Sequence, residues 1–152
     1  MVSAKVIFAT ITGNNEDIAD IITEAFENLG ATVEMEEISQ SDASDLTNFD
    51  ISVVVPYTYD EGSLPDEGMD FYEDLQELDL TGKLFGVAGS GDTFYGEFFG
   101  TAVDKFGTAF EEAGATKGSA NLKIDLAPEE EDITKLEAFA KELFHKVTSS
   151  EN

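Results

Sequence analysis

The chain has 152 residues, 33 acidic side chains against eight basic ones, and a net charge of −25, a balance that excludes nucleic acid and anionic membrane surfaces as partners. Its length and ordinary apolar share, with twelve phenylalanines, suit one domain with a real core rather than a disordered acidic segment. No cysteine is present, so neither a disulfide framework nor a thiolate metal site is available.

Residues 1–5 lead straight into an apolar run and lack the pattern of a signal peptide, and no apolar stretch approaches membrane-spanning length. A soluble cytoplasmic protein is the expectation. Residues 5–10 form a near-continuous apolar run, the pattern of a strand buried on both faces. Residues 14–29 place Ile18, Ile22, Ala25, Phe26 and Leu29 on one helical face, and Gly30 supplies a left-handed stop. Residues 31–38 alternate as a second, more exposed strand, and the polar connection 39–48 leads to a buried strand at 51–55, ended by Pro56.

A helix follows over 64–78, with Pro65 and Asp66 suited to its first turn, and then a buried strand at 84–88. Residues 98–113 read as a helix with Phe99, Val103, Phe106 and Phe110 in line, closed by Gly114. The last strand is expected at 120–126. Pro128 and a run of glutamates open a final helix over 129–147, with His145 in its last turn, where a positive charge suits the helix dipole. The expected organisation is one domain over 1–148 and a short polar tail, 149–152.

Strands alternating with helices in short units predict a single doubly wound α/β domain: a five-stranded parallel sheet with helices on both faces. The most apolar strands take the centre, and right-handed crossovers favour the order 2-1-3-4-5. Ligands of such sheets sit beyond the strands' carboxyl ends, where the winding direction switches. That rule singles out the loops 10–15, 56–63 and 89–99. In the first, Thr10, Thr12, Asn14 and Asn15 surround Gly13 at a helix start, where free N–H groups favour an anion. A plain capped helix start, with Thr12 or Asn14 as the cap, reads equally well from these residues alone. Neither GxxxxGK[ST] nor GxGxxG fits, which sets aside a P-loop NTPase and a dinucleotide fold. The second loop puts Tyr57 and Tyr59 around Thr58, followed by carboxylates that lack EF-hand spacing. The third runs Gly89-Ser90-Gly91-Asp92 to Tyr95. Aromatic side chains on two loops of one sheet edge can hold a flat ring between them.

Thr10-x-Thr12-Gly13-Asn14, then Thr58-Tyr59, then Gly89-Ser90-Gly91-Asp92-x-x-Tyr95, in this order and over essentially the whole chain, resemble a short-chain flavodoxin. The resemblance implies a low-potential one-electron carrier with non-covalent FMN, an electron-transfer protein rather than a catalyst with its own substrate. Its phosphate would lie against Thr10, Ile11, Thr12, Gly13, Asn14, Asn15 and Thr58. Tyr59 and Tyr95 would cover the two ring faces, and the backbone of Gly91 and Asp92 would read the pyrimidine edge. Tyr57, Asp60, Ser90, Phe98 and Phe99 complete the expected set.

The sequence departs from the family pattern at three places. Asn15 stands where Thr is common, Asp60 stands where many members carry Gly, and the segment after Tyr95 is one residue longer than usual. In Gly-containing members the peptide after Tyr59 turns over on reduction; Asp60 makes that turn more costly, so the half-reduced flavin should be less stabilised. The implied partners are reductases and acceptor enzymes with basic docking patches, met transiently by a monomer. A phosphoacceptor receiver domain shares the strand order but needs carboxylates and a lysine that Thr10, Pro56 and Asp125-Leu126 do not supply. A flavin-dependent reductase, or an activator subunit for ribonucleotide reductase, is the remaining alternative on this fold, and the short chain favours a carrier.

Overall fold

The computed structural model describes residues 2–9, 14–56, 66–91, 101–119, 121–125 and 129–150, and the account that follows is of these. In chain order they form β1 (Ser3–Phe8), α1 (Asn14–Asn28), β2 (Thr32–Glu37), β3 (Ile51–Val55), α2 (Asp66–Gln76), β4 (Leu84–Gly91), α3 (Thr101–Glu112), β5 (Thr116–Lys117), β6 (Leu122–Asp125) and α4 (Glu130–Ser150). The sheet is parallel throughout, in the order β2-β1-β3-β4-β5, with β6 also paired to β4. The expected 2-1-3-4-5 winding is therefore present.

Every residue of β3 is buried, and alternation along the central strands sends side chains into two cores. On one face Val6, Phe8, Val53 and Val55 meet Ile18, Ile22 and Phe26 of α1 and Leu136, Phe139 and Leu143 of α4. On the other, Ile7, Val54, Phe85 and Val87 meet Phe71 and Leu75 of α2 and Val103, Phe106 and Phe110 of α3. Phe85 and Phe110 stack with ring centroids 4.7 Å apart, and Tyr72 meets Phe106 edge-on at 5.4 Å. Phe85, Phe106 and Phe110 are fully buried, and each contributes about 1.5–3 kcal/mol, while Tyr72 is half-buried. Gly30 and Gly114, at φ 98° and 92°, end α1 and α3 as their sequence positions predict.

Four local differences from the sequence reading have physical causes. β4 runs three residues past the expected Ala88, through Gly89-Ser90-Gly91, because β6 pairs with that glycine-rich end. The fifth position of the sheet is shared by two short strands: Leu84 pairs with Thr116 but Ala88 with Leu122, so two extra residues are looped out between them. An even insertion keeps the inside–outside alternation in phase. The polar connection 39–48 holds two 3-10 turns, Ile38–Gln40 and Ala43–Asn48, and buries Ala43 and Leu46. α4 continues to Ser150, so His145 stands about a turn before the helix end rather than in the last turn. No glycine or proline follows Val147 to stop the helix there. Among the described residues no helix is long and apolar enough to cross a membrane.

Lys5, the single cation in residues 1–82, is 3% exposed in the middle of β1. Its Nζ donates to Glu36 at 2.9 Å and to Glu34 at 3.2 Å on β2, and lies 5.6 Å from the Phe49 ring centroid. Burial alone would lower the lysine's pKa, but the two carboxylate bonds outweigh it and hold it above 10.5. The bond from Lys5 in turn holds Glu36 below 4.5, against a smaller effect of burial.

The ion pair should be asymmetric to mutation. Lys5→Met leaves two carboxylates that can reach water and should cost within about 1 kcal/mol in urea unfolding, whereas Glu34→Gln with Glu36→Gln strands a buried ammonium and should cost about 3 kcal/mol. Equal losses would show that the lysine head is hydrated. Because Glu36 is depressed in the folded state, its contribution is present above pH 4.5 and lost as pH falls through the lowered folded value. The stability gap between wild type and Glu36→Gln should therefore close in acid, as pH-resolved unfolding would show. The lysine's contribution holds below 10.5 and is lost only as pH rises through the raised folded value.

Candidate functional site

The parallel sheet brings all its carboxyl ends to one edge, where α1, α2 and α3 also begin. At that edge the Ala9 N–H donates to the Val55 carbonyl at 2.9 Å, keeping β1 and β3 together one residue beyond their ladder. Pro56 follows, and with no N–H it cannot extend the pairing. β4 behaves differently. Its last pair with β3 is Val54↔Val87, which sets Val55 level with Ala88, yet β4 continues three residues further to Gly91. There it is held by β6 through Gly91↔Asp125. At about 3.3 Å per residue, the β4–β6 pair rises about 10 Å above the exits of β1 and β3. The edge is therefore a step, with β1 and β3 as its floor and β4 as its wall.

Four of the expected cofactor residues are described, and they border this step. Asn14 and Asn15 are the first two residues of α1, whose opening N–H groups have no acceptor within the helix. Ser90 and Gly91 are the last two residues of β4, at the top of the wall. Thr10, Ile11, Thr12 and Gly13, which join Ala9 to α1, lie outside the described residues. So do Tyr57, Thr58, Tyr59 and Asp60, which follow Pro56, and Asp92, Tyr95, Phe98 and Phe99, which follow the wall. The structure thus brings the roots of the three segments together.

The charge around the step is lopsided. Residues 1–82 carry 20 of the 33 acids and one lysine, and residues 83–152 carry the other 13 with seven lysines, so the net charges are −19 and −6. Along the strands the division falls between β3 and β4, while α4, which carries Lys135, Lys141 and Lys146, packs under β3 and β4 against α1. On the floor side the lone lysine of residues 1–82 is buried and engaged by glutamates, and the first turn of α1 carries Glu16 and Asp17. On the wall side Lys123, opposite Gly89 in β6, is tied to Asp104 of α3 at 2.8 Å. Among the described residues no group of three or more histidine or acidic side chains could hold a metal ion. A cavity of about 230 Å³ lies away from the step, between Asn121 and Phe139 on the flank of α4.

Comparison with known proteins agrees with this fold. A family model described as flavodoxin matches residues 6–139. A probable flavodoxin of Bacillus subtilis is 39% identical over 142 residues, covering 93% of this chain and 89% of the relative. The solved structure of a short-chain flavodoxin associated with a bacterial microcompartment superposes with a TM-score of 0.95 at 55% identity, over 96% of this chain and 99% of that one. The flavodoxin of Streptococcus pneumonia TIGR4 gives 0.93 at 54% identity, over 95% and 99%.

Proposed function

The chain belongs to the flavodoxin family, and on that premise we propose that it is a low-potential one-electron carrier that holds FMN non-covalently on the step above β1 and β3. The observation that carries this reading is the step itself. Its floor is the joined exits of β1 and β3, its wall is the overrun of β4, and the three motif-bearing segments start from them. The donor set fits FMN. Thr10, Thr12, Asn14, Asn15 and Thr58, with the N–H groups of the first turn of α1, bind the phosphate through neutral donors. Ile11 and Gly13 contribute backbone to the same turn. Tyr59 and Tyr95 cover the ring and exclude water from it, with Tyr57, Phe98 and Phe99 beside them. Ser90 and Gly91, at the top of the wall, and Asp92, next in sequence, orient its polar edge, and Asp60 sets the stiffness of the turn after Tyr59.

FMN, when bound, supplies the one-electron chemistry. The protein sets its energy. With one lysine in residues 1–82, buried and engaged by two glutamates, and with Asp60 and Glu61 in the second loop and Asp66 and Glu67 at the start of α2, the surroundings oppose any added negative charge. That opposition lowers the potential. The same acids attract reductases and acceptors with basic patches and let them go readily. A carrier needs no substrate pocket of its own, so the role is transfer rather than catalysis. Glu34, Glu36 and Glu37 on the open edge strand β2 repel a second copy, which favours a monomer.

The purified protein should be yellow and should release FMN on denaturation; a colourless product that does not quench added FMN fluorescence would overturn the proposal. In a spectroelectrochemical titration, the low potential should rise with salt as the acidic envelope is screened. A potential indifferent to salt would remove the envelope from the account. Asn15→Lys, which places one cation beside the phosphate, should tighten FMN or raise the low potential by an amount worth about 1 kcal/mol. If neither quantity moves, Asn15 does not face the phosphate.

A further inference from the structure

We propose that Gly89 is a positioning residue for the cofactor step. The side chain it lacks is the space into which Pro56 turns, and that contact fixes where the segment 57–65 leaves the sheet. The inference rests on the FMN reading above and assigns a role to a residue that makes no contact with FMN in that reading.

β3 and β4 separate just after Val54↔Val87, so Pro56 comes abreast of Gly89 where the ladder has ended. A Cβ placed on Gly89 would collide with the carbonyl oxygen of Pro56, and would stand 3.2 Å from its Cδ and 3.0 Å from Val103 Cγ2 of α3. Neither partner yields easily. The Pro56 oxygen is backbone and moves only by rotation about ψ, which redirects the chain that follows, while the ring fixes φ and holds Cδ in place. Val103 is fully buried in α3, the helix that begins where the segment 92–100 ends. Gly89 cannot retreat either. It pairs with Lys123 of β6, and Lys123 is itself tied to Asp104 of α3. A methyl group at position 89 must therefore move the root of the second loop, the start of α3, or both. These are the roots of the two segments that carry Tyr59 and Tyr95.

The same strand contains a natural control. A Cβ on Gly86 would meet Phe139 Cζ at 2.5 Å and Leu143 Cδ1 at 2.9 Å, in the core under α4 on the opposite face of the sheet. Gly86→Ala strains that packing without touching any loop root. Pro56 offers a complementary change. Pro56→Ala keeps the open space at Gly89 but frees φ and restores an N–H, so the chain can pair further with β4 before it leaves.

The test uses the full chain as wild type, Gly86→Ala, Gly89→Ala and Pro56→Ala. Apoprotein stability is measured in urea, FMN dissociation by fluorescence quenching, and ring environment by visible circular dichroism of the bound flavin. Gly86→Ala and Gly89→Ala should both lose stability. Gly89→Ala alone should weaken FMN on the order of tenfold or more and alter the flavin dichroism, as displacement of positioning groups does. Pro56→Ala should weaken FMN about threefold to tenfold with little loss of apoprotein stability, a result that remains decisive if Gly89→Ala does not fold. The proposal is overturned if Gly89→Ala binds FMN as Gly86→Ala does with unchanged dichroism, or if Pro56→Ala leaves FMN affinity at the wild-type value. Failure of the wild type to bind FMN would instead overturn the functional reading on which the proposal rests.

Discussion

β3 has no face that water can reach, and the rest of the molecule is arranged around that fact. A strand reading Ile-Ser-Val-Val-Val can be stable only when apolar surface covers it on both sides, and helices supply that cover. In a parallel sheet the helices between strands are crossovers, as α1, α2 and α3 are here, with right-handed geometry, and α4 follows the last strand. All the strand-to-helix turns then fall at one edge. The chemistry of the chain is thus gathered at the carboxyl ends by the need to bury β3, before any cofactor is considered. Because β1 and β3 are fixed by packing on both sides, the floor of the step is rigid, while the connections rising from it are free to specialise.

Acidity enters this plan as a cost that the core tolerates. A charge of −25 on 152 residues repels itself, yet no carboxylate is among the buried residues that the structure describes. Among the described residues the one deeply buried charge is positive, and its two acid partners sit on the edge strand, where one of them is 61% exposed. Lys5 thus fastens the acidic edge strand to the neutral centre of the sheet. It also removes the only cation of the first 82 residues from the surface, so that stretch offers its acids no exposed counter-charge of its own.

Much of the fold was legible because it depends on local apolar pattern. The bounds of β3, the start of α1 at Asn14 and the glycine stops after α1 and α3 follow from runs, periods and turn residues. The extension of β4 was not, since Gly89-Ser90-Gly91 has the composition of a loop and becomes strand only through pairing with a segment more than thirty residues away. The division of the fifth strand is hidden for the same reason, as is the burial of Lys5, which needs the register that sets Glu34 beside it and Glu36 next along the same face. At the candidate site, the sheet rule located the three connections, and the family resemblance supplied roles for their side chains. Gly89 was visible only as part of a glycine-rich motif; its separate place emerges when the backbone of Pro56 is seen to fill the volume of its missing side chain.

Under the proposed function, the charge skew and the step are parts of one arrangement. Five strand positions about 4.8 Å apart make the sheet wider than two screening lengths at physiological salt, so a partner near one edge hardly senses the other. A basic surface is therefore drawn to the β2-β1-β3 half, and the step lies at the inner border of that half, within one screening length of β3. The second half differs from the first by seven fewer acids and six more lysines. Withholding lysine does nearly as much to create the skew as adding acid. The scarcity of lysine in residues 1–82 then serves two ends, holding down the potential of a bound flavin and turning a docking partner toward the edge at which electrons would leave.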